Sequence, residues 1–422
     1  MSRPCGVKLP LVDGARAWQW LEQLAAITEP ERPWTRCAFT PWHAQGRAWL
    51  RERFVEAGLA VRVDAAGNLI GRRDGRVRGA PVLMVGSHSD TVPGGGRFDG
   101  MAGVVAGLEL ATALRDAGHL LDHAFEVVDF LAEEPNPYGL SCIGSRGMAG
   151  ALTLAMLERH DGSCVPLHQR LLEAGAGSVP VASAVRSDVK AFLELHIEQG
   201  PMLEERGLDV GIVTTIVGIR RLALRFVGQA AHAGTTPYAL RRDALVAASA
   251  FIAGLPGFIQ AGAKSGAYLV STVGELKVLP NAANVVPAVA ELTVDLRSDQ
   301  PILLEAWSER VKAFANEAAT RHGVTLADCA QLSASEPAPC APGVQNALRK
   351  AATALGLRQQ DMVSGAGHDA AFLARVAPAG MVFVPSHHGM SHTADEWTDA
   401  QQLEKGMATL LGAVLELDGA AA

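Results

Sequence analysis

An excess of positive charge is the first thing this chain lacks. Its 422 residues hold 37 Lys and Arg against 44 Asp and Glu, a net charge of -7. That balance offers no basic face for phosphates or an anionic bilayer, so neither nucleic acid nor membrane is an expected partner. The opening MSRPCGVKLP lacks the apolar core and small-residue cleavage site of an export leader, and no later stretch reads as apolar for long enough to span a bilayer. Cysteine is sparse: Cys5, Cys37, Cys142, Cys164, Cys329 and Cys340 show no CxxC spacing. They read as free thiols in a reducing cytoplasm, which excludes a disulfide frame or a zinc knuckle. Internal repeats are absent, and low complexity is confined to the small-residue tail.

What is present is apolar and rhythmic. A 49% hydrophobic chain of this length predicts two domains. Residues 14–27 and 43–57 carry apolar side chains at helical spacing, whereas VLMVG at 82–86 and FEVVDFL at 125–131 are short β-type runs. A helix over 102–117 lies between those two runs, closed by Gly118. Strand, helix, strand in that order predicts an α/β domain with a mostly parallel sheet and helices on both faces, to which FLELHIEQG at 192–200 and MVFVP at 381–385 add strands. A different order fills 215–332: strands at 215–228, 267–276, 288–298 and 323–330, with helices at Arg241–Leu255 and Pro301–Thr320. This β-α-β-β-α-β succession predicts an inserted ferredoxin-like α+β sandwich.

The chemistry begins at GSHSDTVPGGGRFDG, 86–100. His88 and Asp90 follow a predicted strand, and two-residue spacing on extended backbone turns both side chains to one side. One ring nitrogen of His88 can then take a metal while Asp90 orients it or a nearby group from behind. The glycines that follow let the loop return Asp99, whose two oxygens suit it to bridge two cations. The next strand runs into Glu133 and Glu134, neighbours that point apart and can divide the tasks of base and ligand. A third strand brings His196, with Glu194, Glu198 and Gln199 nearby. A fourth leads into PSHHGMSHTADEW, with His387, His388 and His392.

A His on an apolar strand is usually a packed core residue, and an isolated Glu-Glu pair is usually solvated. Four strand ends that each deliver His, Asp or Glu, where open α/β sheets place their sites, are not explained by packing. His88, Asp99, Glu134, His196 and His392 offer nitrogen and oxygen ligands without thiolate, suiting two divalent ions such as zinc, manganese, cobalt or nickel. Paired cations that acidify a shared water and polarise a carbonyl are equipment for hydrolysis, with Glu133 as the base.

These motifs, with IGSRGMAG, LELHIEQGP, HAGTTP, RRDAL, PNAANVVP, DLR and SGAGHDA, resemble over nearly the whole chain the hydantoinase/carbamoylase amidases. That branch of the metallopeptidase superfamily of carboxypeptidase G and the aminoacylases includes the N-carbamoyl-L-amino-acid and allantoate amidohydrolases and the β-ureidopropionases. The resemblance implies a di-metal, aminopeptidase-like catalytic domain over 1–214 and 333–422, and a dimerisation or lid domain over 215–332. It implies His88 and His196 on one metal, Glu134 and His392 on the other, Asp99 between them, Glu133 as general base, and Asp90 supporting the ligands from behind. It places Gln199, His232, Asn284, Arg297 and Arg221 on the substrate. His232 would hold the oxyanion and Arg297 would clamp a carboxylate, against the plainer expectations that His232 caps the turn at Gly234 and that Arg297 joins a surface ion pair with Asp295. The implied activity is hydrolysis of N-carbamoyl-L-amino acids in a cytoplasmic homodimer. The alternatives are allantoate or acylamino-acid hydrolysis and, outside enzymes, a metal-binding scaffold. PNPYG after the glutamate pair departs from the family pattern.

Overall fold

The computed structural model describes residues 10–177, 180–262 and 266–419, so Cys5 and most of the opening segment lie outside it. The five described cysteines are free thiols. Two compact units divide the chain, one formed by Met1–Thr214 with Pro339–Ala422 and one by Thr215–Ala338.

The split unit is built on a mixed sheet. Its strand order is Ala60–Val63, Leu69–Arg73, Ala124–Phe130, Val82–His88, Val189–Ile197, Ala379–Val384 and Val210–Ile216, with Gln359–Ser364 also paired to the last. The four strands from Ala124–Phe130 to Ala379–Val384 are mutually parallel. Their neighbours, Leu69–Arg73 on one side and Val210–Ile216 on the other, run antiparallel, so the expected mostly parallel sheet is parallel only at its centre. The central strands are buried almost throughout because both faces are covered, and even Glu126, Asp129 and Glu194 lie inside. On one face Leu83, Val85, Val127 and Leu195 share a core with the helices Gly14–Ala25, Met101–Asp116, Pro342–Ala354 and Ala400–Gly419. The helix Met101–Asp116 is buried from Met101 through Leu114, as a crossover helix between parallel strands should be.

The inserted unit is a two-layer sandwich. Its antiparallel sheet has the order Thr325–Ser335, Gly218–Val227, Val289–Ser298, Leu269–Leu279. One face packs Leu222, Leu224, Phe226, Leu292 and Val294 against Phe251, Leu255, Trp307 and Val311 of two helices. Gly218–Val227 alternates buried with more exposed residues along its whole length, the period-2 signature of a half-covered sheet.

Two sequence expectations need correction here. The strand expected from 215 to 228 is two strands, because Val210–Ile216 ends in the split unit's sheet and a new strand starts at Gly218. The helix expected to stop at Leu255 continues through Pro256 to Gly262. At that length it is apolar enough to cross a bilayer by length and composition, contrary to the reading that no segment is. In the structure its buried side chains, Ala244, Ala247, Ala248, Phe251, Leu255 and Ile259, form part of the inserted unit's own core.

Candidate metal centre

His88 is the last residue of its strand, and His196 lies one residue before the end of the adjacent parallel strand. Parallel pairing therefore delivers both imidazoles to the same carboxyl-terminal edge of the sheet. The loop after His88 returns through Gly100, whose φ of 65° and missing Cβ are both required, since a Cβ there would lie 2.4 Å from the His88 ring. Asp99, immediately before it, is thereby laid against three imidazoles. His88 Nε2 is 3.6 Å and His196 Nε2 3.2 Å from Asp99 Oδ1, and His392 Nε2 is 3.1 Å from Asp99 Oδ2. His392 Nε2 also lies 3.4 Å from Glu134 Oε1. Two groups of ligand atoms result, His88 with Asp99 and His196, and Asp99 with Glu134 and His392; within each group all atoms fall within 4.8 Å of one another.

The outer nitrogens are tied down. His196 Nδ1 sits 2.9 Å from the Ile197 carbonyl and His88 Nδ1 3.0 Å from the Asp90 carbonyl. An Nδ1–H donated to each carbonyl leaves the Nε2 lone pairs facing Asp99. The Asp90 carboxylate has a task the spacing did not suggest. It accepts the backbone N–H groups of Glu133 and Glu134, each at 3.1 Å, and so holds the glutamate pair in place. That pair does not sit on the strand as expected: the strand stops at Phe130, and Ala132 turns through a φ of 54° before the glutamates. Glu133 Oε2 reaches to 3.8 Å from His88 Nε2, and its Oε1 accepts from the Cys142 thiol at 3.1 Å.

Gln199, on a left-handed residue just past its strand, donates to Asp99 Oδ2 at 2.6 Å. Ser391 and Glu396 complete the surroundings, and neither was picked out from the sequence. The Ser391 hydroxyl is 3.0 Å from both Asp99 Oδ2 and Glu396 Oε2, while Glu396 Oε1 accepts from the backbone of Phe98 and Asp99. Glu194 takes the Ser87 hydroxyl and the Ala370 N–H, and His368 packs its ring 4.4 Å from that of His196. Glu194 had a visible signal, since a carboxylate two residues from His196 on an otherwise apolar strand shares its face.

Charge in this cluster is unevenly balanced. Burial opposes ionisation of Asp99, but hydrogen bonds from His196, His392 and His88 prevail and hold its carboxyl well below the usual range. Burial lifts Glu133 well above that range, His88 draws it back, and Glu134 and Asp369 push it up again. Burial and then the Asp99 charge raise Glu134 to about 7, and the hydrogen bond to Asp99 raises His392 to about 9. Carboxylates and imidazoles that must share protons in this way, buried except for His392, are the donor set a divalent cation replaces protons on.

The remaining expected residues lie in the inserted unit. His232 is exposed and its Nδ1 accepts from the Gly234 N–H at 3.1 Å, as the plainer reading had it. It pairs in a short ribbon with Val285, next to Asn284, whose carbonyl accepts from Ala233. Arg221 and Arg297 both reach Asp295, at 3.1 Å and 2.6 Å, so the ion pair set against the substrate role is present.

A central parallel sheet whose strand ends and following loops converge three imidazoles on one carboxylate defines an α/β protein equipped for divalent cations. Residues 84–416 match the model of peptidase family M20/M25/M40. The chain belongs to this family and, within it, to the hydantoinase/carbamoylase amidases. It is 40% identical to an N-carbamoyl-L-amino-acid amidohydrolase of Paenarthrobacter aurescens, over 91% of this chain and 93% of that protein. An N-carbamoyl-L-amino acid amidohydrolase of Geobacillus stearothermophilus is 38% identical over 96% of this chain and 99% of its own length. Among solved structures, a hydantoinase/carbamoylase family amidase from Burkholderia multivorans superposes with a TM-score of 0.89 at 37% identity, covering 98% of this chain and 100% of that one.

Proposed function

We propose that this enzyme hydrolyses the linear C–N bond of N-carbamoyl-L-amino acids, releasing the amino acid, carbon dioxide and ammonia. The observation that carries the reading is the approach of three imidazole Nε2 atoms to the two oxygens of Asp99, with Glu133 beside them. In this reading His88 and His196 would hold one divalent ion and Glu134 and His392 another, with Asp99 available to both. Zinc, manganese, cobalt and nickel suit the donor set. When bound, such ions acidify water and polarise a carbonyl. The chain's own part is to move protons and fix the substrate. Glu133 takes the proton of the attacking water and returns it to the leaving nitrogen, and burial, by lifting its carboxyl, suits it to both transfers. Asp90 keeps the glutamate pair in register through its two backbone hydrogen bonds.

For the substrate, Gln199, His232, Asn284, Arg297 and Arg221 are the proposed contacts. His232 faces the oxyanion, Asn284 the ureido group and Arg297 the carboxylate. The inserted unit serves as the dimerisation domain of a homodimer.

The test is ammonia release from a panel of N-carbamoyl-L-amino acids, N-carbamoyl-β-alanine, allantoate and, by amino-acid release, N-acetyl amino acids, after reconstitution with each metal. The highest kcat/KM is expected on an N-carbamoyl-L-amino acid. Arg297→Ala should cost about 2–5 kcal/mol on the acid and much less on the corresponding amide. Preference for an N-acetyl amino acid would overturn the substrate class, and equal losses on acid and amide would mean that Arg297 has a structural role.

A further inference from the structure

A second group of metal-type ligands lies outside the centre at Asp99. Glu204, on the helical turn Met202–Glu205, meets His387 and His388 of the turn His387–Gly389, and one ligand atom of each falls within 4.8 Å of the others. Glu204 Oε1 is 2.7 Å from His387 Nδ1, and Glu204 Oε2 is 3.9 Å from His388 Nδ1. The side chains are 36%, 52% and 68% exposed respectively, so an ion can enter from solvent without opening the fold.

The backbone that carries them is held more firmly than the side chains. His388 adopts a φ of 54°, which brings its ring to 3.9 Å from that of His387 and turns both toward the same carboxylate. Gly389 follows at a φ of 67°, packed so closely on Gly200 and Pro201 that a Cβ would come within 2.8 Å of the Pro201 nitrogen. Glu198 accepts the N–H groups of Met202 and Leu203 at 2.9 and 2.8 Å, fixing the other turn. The Gln199 N–H donates to Ser386 Oγ at 3.0 Å and joins the two segments. Glu204 is already poised as an anion, because the His388 N–H and then His387 hold its carboxyl below the usual value.

We propose that Glu204, His387 and His388 form a surface site for one borderline divalent cation, such as Zn²⁺, separate from the centre at Asp99. Two imidazoles and one carboxylate favour this class over Ca²⁺ or Mg²⁺, which take oxygen ligands, and they leave a coordination position for water. Ligand atoms around a tetrahedral ion stand roughly 3.4 Å apart, given metal–ligand bonds of about 2.0–2.1 Å. The 2.7 Å hydrogen bond must therefore lengthen and the 3.9 Å approach shorten, which exposed side chains on a pinned backbone can do by small rotations.

The test uses the untagged enzyme carrying its resident ions, dialysed against Zn²⁺ between about 1 μM and about 1 mM, with metal counted per chain by elemental analysis. The wild type should take up one ion more than a His387→Ala/His388→Ala double variant. Glu204→Gln, which keeps the shape and removes the charge, should weaken that uptake at least about tenfold. Both variants should match the wild type in activity at the lowest zinc concentration, which verifies their folding. No additional ion on the wild type by the highest concentration would overturn the proposal, as would an additional ion that the double variant retains.

Discussion

The two units treat charge in opposite ways. The split unit buries His88, Asp90, Asp99, Glu109, Glu126, Asp129, Glu133, Glu134, Glu194, His196 and Asp369. Among the described residues of the inserted unit, Arg220 is the charged side chain that is buried. On its sheet, Arg221 pairs with Asp295 and Arg225 with Glu291 at partly exposed positions. A buried ion needs a partner or a metal to offset its desolvation, whereas an exposed pair adds little either way. Arginines face Glu109, Glu126 and Asp129, whereas the carboxylates around Asp99 face imidazoles and one another, and the inserted unit has no such cluster among its described residues.

The largest effect that would break or confirm this contrast is metal removal. Stripping with a chelator should abolish activity and lower the Tm, and a divalent ion should restore both, since a ligand bound only by the native state stabilises it by mass action. Hydrogen exchange should quicken around 86–100, 131–134 and 386–396, while the strands Gly218–Val227 and Val289–Ser298 keep their protection. Full activity in protein shown by elemental analysis to be metal-free would defeat the reading.

Next in size is Glu133→Gln. It should keep the bound metal and lose at least roughly a hundredfold in kcat, the range expected for removal of a general base. The measurement pairs steady-state kinetics with metal content, and a fully active variant would remove Glu133 from the proton transfers.

Legibility from sequence follows the same division. The central parallel strands were readable because burial on both faces leaves short runs rich in apolar and β-branched residues, and Val82–His88 and Ala124–Phe130 stand within two residues of where those runs placed them. The sheet's edges were not: Ala60–Val63 and Gln359–Ser364 are short and mixed in polarity, which erases the signal that separates a strand from a loop. Pro256 misled because proline usually ends a helix, yet here it is carried inside one. Within the centre, residue types at strand ends pointed to the ligand set, while Glu396 was silent because it acts on the backbone of Phe98 and Asp99 from 297 or more residues away. No local spacing encodes that contact. The particular group that Asp90 holds was silent for the same reason, since its partners are 43 and 44 residues distant.

The smallest effects come from single ion pairs, and they sharpen the comparison most directly. In the split unit the fully buried Glu109 takes two hydrogen bonds from Arg16, at 2.8 and 2.7 Å, and one from the Asp13 N–H at 2.7 Å. Arg16→Ala leaves that carboxylate buried with one backbone donor and should cost about 3 kcal/mol, whereas Arg225→Ala, at an exposed pair, should cost less than about 1 kcal/mol. The pH dependence separates lost charge pairing from lost packing. Burial raises the Glu109 carboxyl in the folded protein although Arg16 draws it down, so removing Arg16 raises it further. A raised folded value means that the native state binds more protons than the unfolded chain above about pH 4.3, and stability falls as pH rises through the folded value. The gap between wild type and Arg16→Ala, read from urea midpoints with the m-value checked, should therefore widen from about pH 4.5 toward 7 and narrow again in acid. A gap that stays constant across this window would mean that Arg16 stabilises by packing alone and that Glu109 carries no uncompensated charge.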